Sequence, residues 1–124
     1  MKKSAVVALV IAAVVTAAVL PVATVAVATR PSEYTYQEVV TTSFVKSLGS
    51  FAVTVYKLAH GLTMYYQSTS ECWSVAASGP AGYRCYWMLL TAKDGNGTYG
   101  GKVSTVCGVP GSQTWKLISF NSTN

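Results

Sequence analysis

Ionisable side chains are scarce in this chain: four Asp and Glu, nine Lys and Arg and one His stand among 124 residues. The acids are Glu33, Glu38, Glu71 and Asp94, too few and too scattered for a carboxylate pair or a hard-cation cage. His60 is the sole imidazole, so every Ser-His-Asp, Cys-His or imidazole-metal scheme must pass through one position. That position, just before Gly61, is explained by a helix end, where a cation suits the dipole. The basic residues beyond residue 28 (Arg30, Lys46, Lys57, Arg84, Lys93, Lys102, Lys116) occur singly. No stripe tracks a phosphate backbone, and no nucleic-acid partner is expected. These shortages point away from an enzyme, and no catalytic residue, cofactor or metal is expected.

Aromatic and acidic residues are both absent before residue 33. Residues 5–28 instead form an almost unbroken apolar run behind Lys2 and Lys3. About 20 apolar residues suffice to cross a bilayer as a helix, so the run is long enough to span. It also has the parts of a secretory signal: a basic start, an apolar centre, and a tail after Pro21 ending in the small-x-small Ala26-Val27-Ala28. The chain is therefore expected to meet a membrane at least transiently and to be exported. Residues 1–28 read as signal peptide or transmembrane segment, and residues 29–124 as one exported domain.

Cys72, Cys85 and Cys107 all fall in the exported part, at spacings that match neither a C-x-x-C redox pair nor a zinc ligand set. One disulfide is expected, with three pairings open and one thiol left over. Asn96-Gly97-Thr98 and Asn121-Ser122-Thr123 are N-glycosylation sequons, consistent with export.

Thr35-Tyr36-Gln37-Glu38 has the T-x-x-E form of a capping box and predicts a helix start. Val40, Phe44, Leu48, Phe51, Val55 and Leu58 then recur at helical spacing, and Lys57, His60 and Gly61 supply stop signals. The reading is an amphipathic helix over residues 35–60, with two strands broken near Gly49 as the alternative. Residues 62–67, 72–77, 83–91, 99–107 and 114–120 read as strands, separated by turns at 78–82, 93–97 and 108–111. The predicted fold class is α+β, an amphipathic helix covering one face of an antiparallel meander of four or five strands, with an all-β sandwich as alternative.

Gly95-Asn96-Gly97-Thr98-Tyr99-Gly100 spells the dinucleotide-binding G-x-G-x-x-G. An alternating, strand-like stretch follows it, so it reads as a glycine-rich hairpin tip. Tyr86 and Trp87 are adjacent on a predicted strand and must face opposite sides of the sheet. With Trp73 and Trp115 they form the candidate assembly surface, unless a loop, second layer or partner covers that face.

A hydrophobic N-terminal segment, an amphipathic helix and an antiparallel sheet with cysteines near the C-terminus resemble the layout of type IV pilins and pseudopilins. The resemblance implies a leader cut before the hydrophobic helix, here after Lys3-Ser4. The resemblance is to an archaeal-type site; the bacterial Gly-Phe junction and the family's acidic residue five positions into the mature helix are both absent. It further implies a filament held by hydrophobic helices. A helix across a meander also resembles the general shape of cystatin-like inhibitors, without their binding-loop motifs. The expected function is an exported, self-assembling structural protein of a filament, pilus or surface layer. The alternatives are a secreted module recognising glycan or protein through its aromatic strands, or a membrane-anchored extracellular domain.

Overall fold

The computed structural model describes residues 28–123. The hydrophobic segment read from residues 1–28 lies outside the described residues except for Ala28. The elements are β1 (Tyr36–Gln37), α1 (Ser43–His60), β2 (Met64–Ala76), β3 (Arg84–Asp94), β4 (Tyr99–Gly108) and β5 (Lys116–Ser122). The five strands form one antiparallel sheet in sequence order, and α1 packs on one face of it. The architecture is α+β; the sandwich alternative is not what the chain adopts.

The helix begins later than the capping-box pattern predicts. Tyr36 and Gln37 pair with Ser74 and Trp73 as an edge strand, so Thr35 caps nothing. The N-cap is Thr42, whose hydroxyl accepts from the Val45 N–H at 3.2 Å. The other end follows the sequence signals. Gly61 adopts the left-handed conformation at φ 63°, and the Gly61 and Leu62 N–H groups both donate to the Lys57 carbonyl. Gly49 does not break the helix.

The buried stripe of α1 is also rotated from the expected one. Val45, Leu48, Gly49, Ala52 and Val53 are buried, whereas Leu58, expected on the core face, is 73% exposed. Small residues set the approach. A β-carbon on Gly49 would fall in the space of the Tyr66 ring and 2.9 Å from the Thr69 hydroxyl, so the helix reaches β2 only because that carbon is missing. Phe44, Phe51 and Tyr56 flank the stripe and pack against the core edge.

Two predicted strands, 62–67 and 72–77, prove to be one. β2 runs through the polar stretch between them with register irregularities between Tyr66 and Ser68 and between Thr69 and Glu71. The bulges absorb residues that interrupt simple alternation. Cys72, Ser74, Tyr86, Met88, Leu90, Ala92, Ser104 and Val106 alternate onto the helix-covered face and form the core with α1. Fully burying a side chain such as Met88, which has no exposed surface, is worth about 2–3 kcal/mol. The predicted turns appear close to their expected places, with Gly82, Gly97 and Gly111 at positive φ. In the β3–β4 turn, Asp94 Oδ1 accepts from the Asn96 and Thr98 N–H groups, so the G-x-G-x-x-G segment is a hairpin tip.

Candidate assembly surface

The four aromatics expected to form an outward surface divide between the two faces. Tyr86 is 2% exposed on the helix side, where its ring meets Phe44 edge-on at 5.5 Å. Trp115 lies just before β5 and joins the same cluster, 5.8 Å from Tyr86 and 5.9 Å from Phe44, against Gly108. Trp73 and Trp87 occupy the other face as direct cross-strand partners. Even there Trp87 is only 5% exposed.

A short segment of the chain explains that burial. Trp87 sits in one row of the sheet between Trp73 on β2 and Thr105 on β4. Arg30 places its guanidinium 3.5 Å above the Trp73 ring, and the Tyr34 hydroxyl comes beside the Thr105 side chain. Between these anchors the Tyr34 N–H donates to the Pro31 carbonyl at 3.1 Å, closing a turn. Residues 30–34 thus form a clasp whose two feet stand on either side of Trp87. Burial, and then the charge of Glu33, push the Tyr34 phenol above its usual range. Residues 29–32, with a charge and a proline after the apolar run, read from sequence as a short linker; a guanidinium and a phenol either side of Pro31 are the only signal of anything more.

A second arrangement is invisible in local sequence. Buried Ser74 donates its hydroxyl to Glu38 Oε2 at 2.7 Å and accepts from Arg84 Nη2 at 2.8 Å. Glu38 is therefore not the capping carboxylate that the T-x-x-E pattern predicts. Its partner is 36 positions away. One buried hydroxyl links the carboxylate to the guanidinium and fastens the chain just after β1 to the sheet, with the Glu38 N–H donating to the Cys72 carbonyl. Glu71 accepts from Trp73 Nε1 at 3.1 Å.

Cys85 and Cys107 are cross-strand partners and form the disulfide, leaving Cys72 as the free thiol. Cys72 has no exposed surface; burial, and secondarily the Glu38 charge, push its thiol up to about 12. Such a thiol is protonated and inert at neutral pH. His60 is exposed at the end of α1, stacked on Tyr56 at 4.2 Å, with Nδ1–H donating to the Tyr56 carbonyl. The structure does not bring this imidazole to the thiol. Asn96 is exposed at the hairpin tip and Asn121 is exposed on β5, the edge strand.

Among the described residues no group of three or more His, Cys, Asp or Glu is placed to hold a metal ion. Among them, also, no helix is long and apolar enough to cross a membrane. An open cavity of about 310 Å³ lies between Val40, Thr41 and Lys46 and the bulged part of β2. The chain matches no known protein family, no curated protein and no solved structure.

Proposed function

We propose that this chain is an exported structural protein of the cell surface, a self-assembling subunit of a filament or surface layer. The observation that carries the reading is the clasp. Residues 30–34 lie on one face of the sheet, with Arg30 over Trp73 and Tyr34 beside Thr105. The chain is thus fastened to the folded body from Arg30 onward, so a pull on the segment before it would reach the sheet directly. That coupling suits a subunit that transmits position or load. The Cys85–Cys107 bridge is compatible with an oxidising, extracellular setting.

A glycan- or protein-binding module is the less favoured reading, because the two tryptophans on the outer face are covered. Trp73 lies under Arg30, and Trp87 is closed off. The test is sedimentation and electron microscopy of material sheared from the surface of the native cells. The chain is expected there in fast-sedimenting homopolymers. A monomer confined to the cell interior would overturn the proposal.

A further inference from the structure

The two edges of the sheet differ in what they offer a neighbour. At one edge β1 covers β2 at Trp73 and Ser74, and the Glu38 N–H takes the Cys72 carbonyl. Beyond them β2 is bulged twice, with Val40, Thr41 and Lys46 across the cavity from it. Short, bulged and covered strands close an edge to pairing. β5 has little of this protection. Among the described residues no strand lies beyond it, its register irregularity falls between Leu117 and Ser119, and residues 117–123 hold neither charge nor proline.

The free backbone groups of β5 have a defined direction. The Thr123 N–H donates to the Gly101 carbonyl at 3.1 Å, and Ser104 Oγ donates to the Ser119 carbonyl at 2.9 Å. Alternate residues of an antiparallel strand turn to the same neighbour, so Ser119, Asn121 and Thr123 face β4. Phe120 and Ser122 therefore turn their N–H and C=O groups outward.

The helix overhangs this edge. Lys46 lines the cavity beside β2 and Lys57 lies 5.2 Å over the Tyr65 ring, so that flank of α1 faces β2. Phe44, Phe51, Val55 and Leu58 recur along the opposite flank, where Phe44 meets Trp115 just before β5. That flank is apolar and only partly covered: Phe51 and Val55 are half-buried and Leu58 is 73% exposed. Ile118, on β5 itself, is 57% exposed.

We propose that β5 is the contact through which two copies of this chain pair, antiparallel and edge to edge, about a twofold axis perpendicular to the sheet at Phe120. Centring there matches the uncharged run 117–123 with itself. Phe120 exchanges backbone hydrogen bonds with the partner's Phe120, Ser122 comes opposite the partner's Ile118, and Ser119 opposite the partner's Asn121. The two sheets become one with both helices on the same face, and the partner's β5 extends the surface beneath the apolar flank of α1. A second copy is the occupant because the run is self-complementary and its other edge is closed, which leaves β5 as the strand it can add. This rests on the reading of the chain as a self-assembling subunit and names one contact of the assembly. A twofold pair is closed, so growth into a filament takes a second contact.

The test is disulfide trapping in the full chain in detergent micelles. Ser119→Cys and Asn121→Cys chains are made separately and also co-expressed, then oxidised with copper phenanthroline. Cys72 is buried and protonated, and the unsubstituted chain is the control. Directly opposed cross-strand residues stand about 4.5–5.5 Å apart at Cβ, whereas like positions either side of the axis stand farther apart. A covalent dimer is therefore expected from the co-expressed pair, far in excess of either variant alone. Ser122→Pro removes an outward N–H and no bond to β4, so it should abolish the dimer while leaving the far-ultraviolet circular dichroism unchanged. Leu58→Lys should reduce it. No dimer from the co-expressed pair, equal dimer from every sample, or a dimer that survives Ser122→Pro overturns the proposal. Native surface homopolymers without this dimer strike the β5 contact alone and leave the surface reading standing. The dimer in a chain that never leaves the cell removes the surface reading and leaves the contact.

Discussion

The guanidinium of Arg30 lies 3.5 Å above the ring of Trp73, one cross-strand step from the buried Trp87. A cation–π contact of this kind is worth about 0.5–2 kcal/mol, depending on desolvation. Arg30→Ala should therefore cost about 1 kcal/mol in urea unfolding and open Trp87 to water, seen as a red shift of tryptophan emission. Arg30→Lys should retain part of both. Unchanged emission in Arg30→Ala would mean that something other than the clasp covers Trp87.

Gly49→Ala reverses the usual sign. In an exposed helix interior Ala is favoured over Gly by about 1 kcal/mol. Here the added carbon would meet the Tyr66 ring, which a 2.8 Å hydrogen bond to Thr69 holds in place. A loss of about 1–3 kcal/mol is expected from overpacking. The loss should largely vanish when Tyr66→Ala is already present, a coupling that a double-mutant cycle measures.

How much of this was legible in sequence depends on whether each signal is local. Lys57, His60 and Gly61 end the helix as read, because a C-cap needs only its own last turn. Asp94, Asn96 and Gly97 likewise make their own hairpin. The helix start failed because Glu38 and Tyr36 answer to Ser74, far along the chain, and strand pairing outweighs a capping box. The helix face was misplaced because large apolar residues were weighted over Gly49 and Ala52, which mark the closest approach. The buried face of the tryptophan pair was unreadable, since the covering residues look like a linker and act only through the fold.

Alkaline pH should weaken the fold through Cys72. Its thiol is raised in the native state from about 9 to about 12, so the unfolded chain loses this proton first as pH rises. The stabilisation is complete below about pH 9 and is lost between about 9 and 12, at up to about 1.4 kcal/mol per pH unit. Tyr86 and Tyr34, both raised chiefly by burial, act in the same direction above their ordinary value of 10. Cys72→Ala should flatten the profile between pH 9 and 10; an unchanged slope would place its origin elsewhere.

The Glu38–Ser74–Arg84 chain predicts an asymmetry. Glu38→Ala leaves the buried Ser74 hydroxyl without its acceptor and should cost about 1–3 kcal/mol. Glu38→Gln keeps a side-chain carbonyl for Ser74 and should cost less. Thermal unfolding of the two variants compares them directly. Equal losses would show that the hydroxyl does not depend on that acceptor.

Joining Cys85 to Cys107 closes a loop of 22 residues, for which chain entropy gives about 3 kcal/mol. The central claim, that this chain does its work outside the cell, turns on whether that bridge exists in the native source. The direct measurement is alkylation of intact native cells, fractionation, denaturation with a second alkylating mass tag, and the non-reduced mass of the chain. One tag, on Cys72, with Cys85 and Cys107 joined and the chain in the surface fraction, is the predicted result. Three tags on a chain from the cell interior would contradict the account.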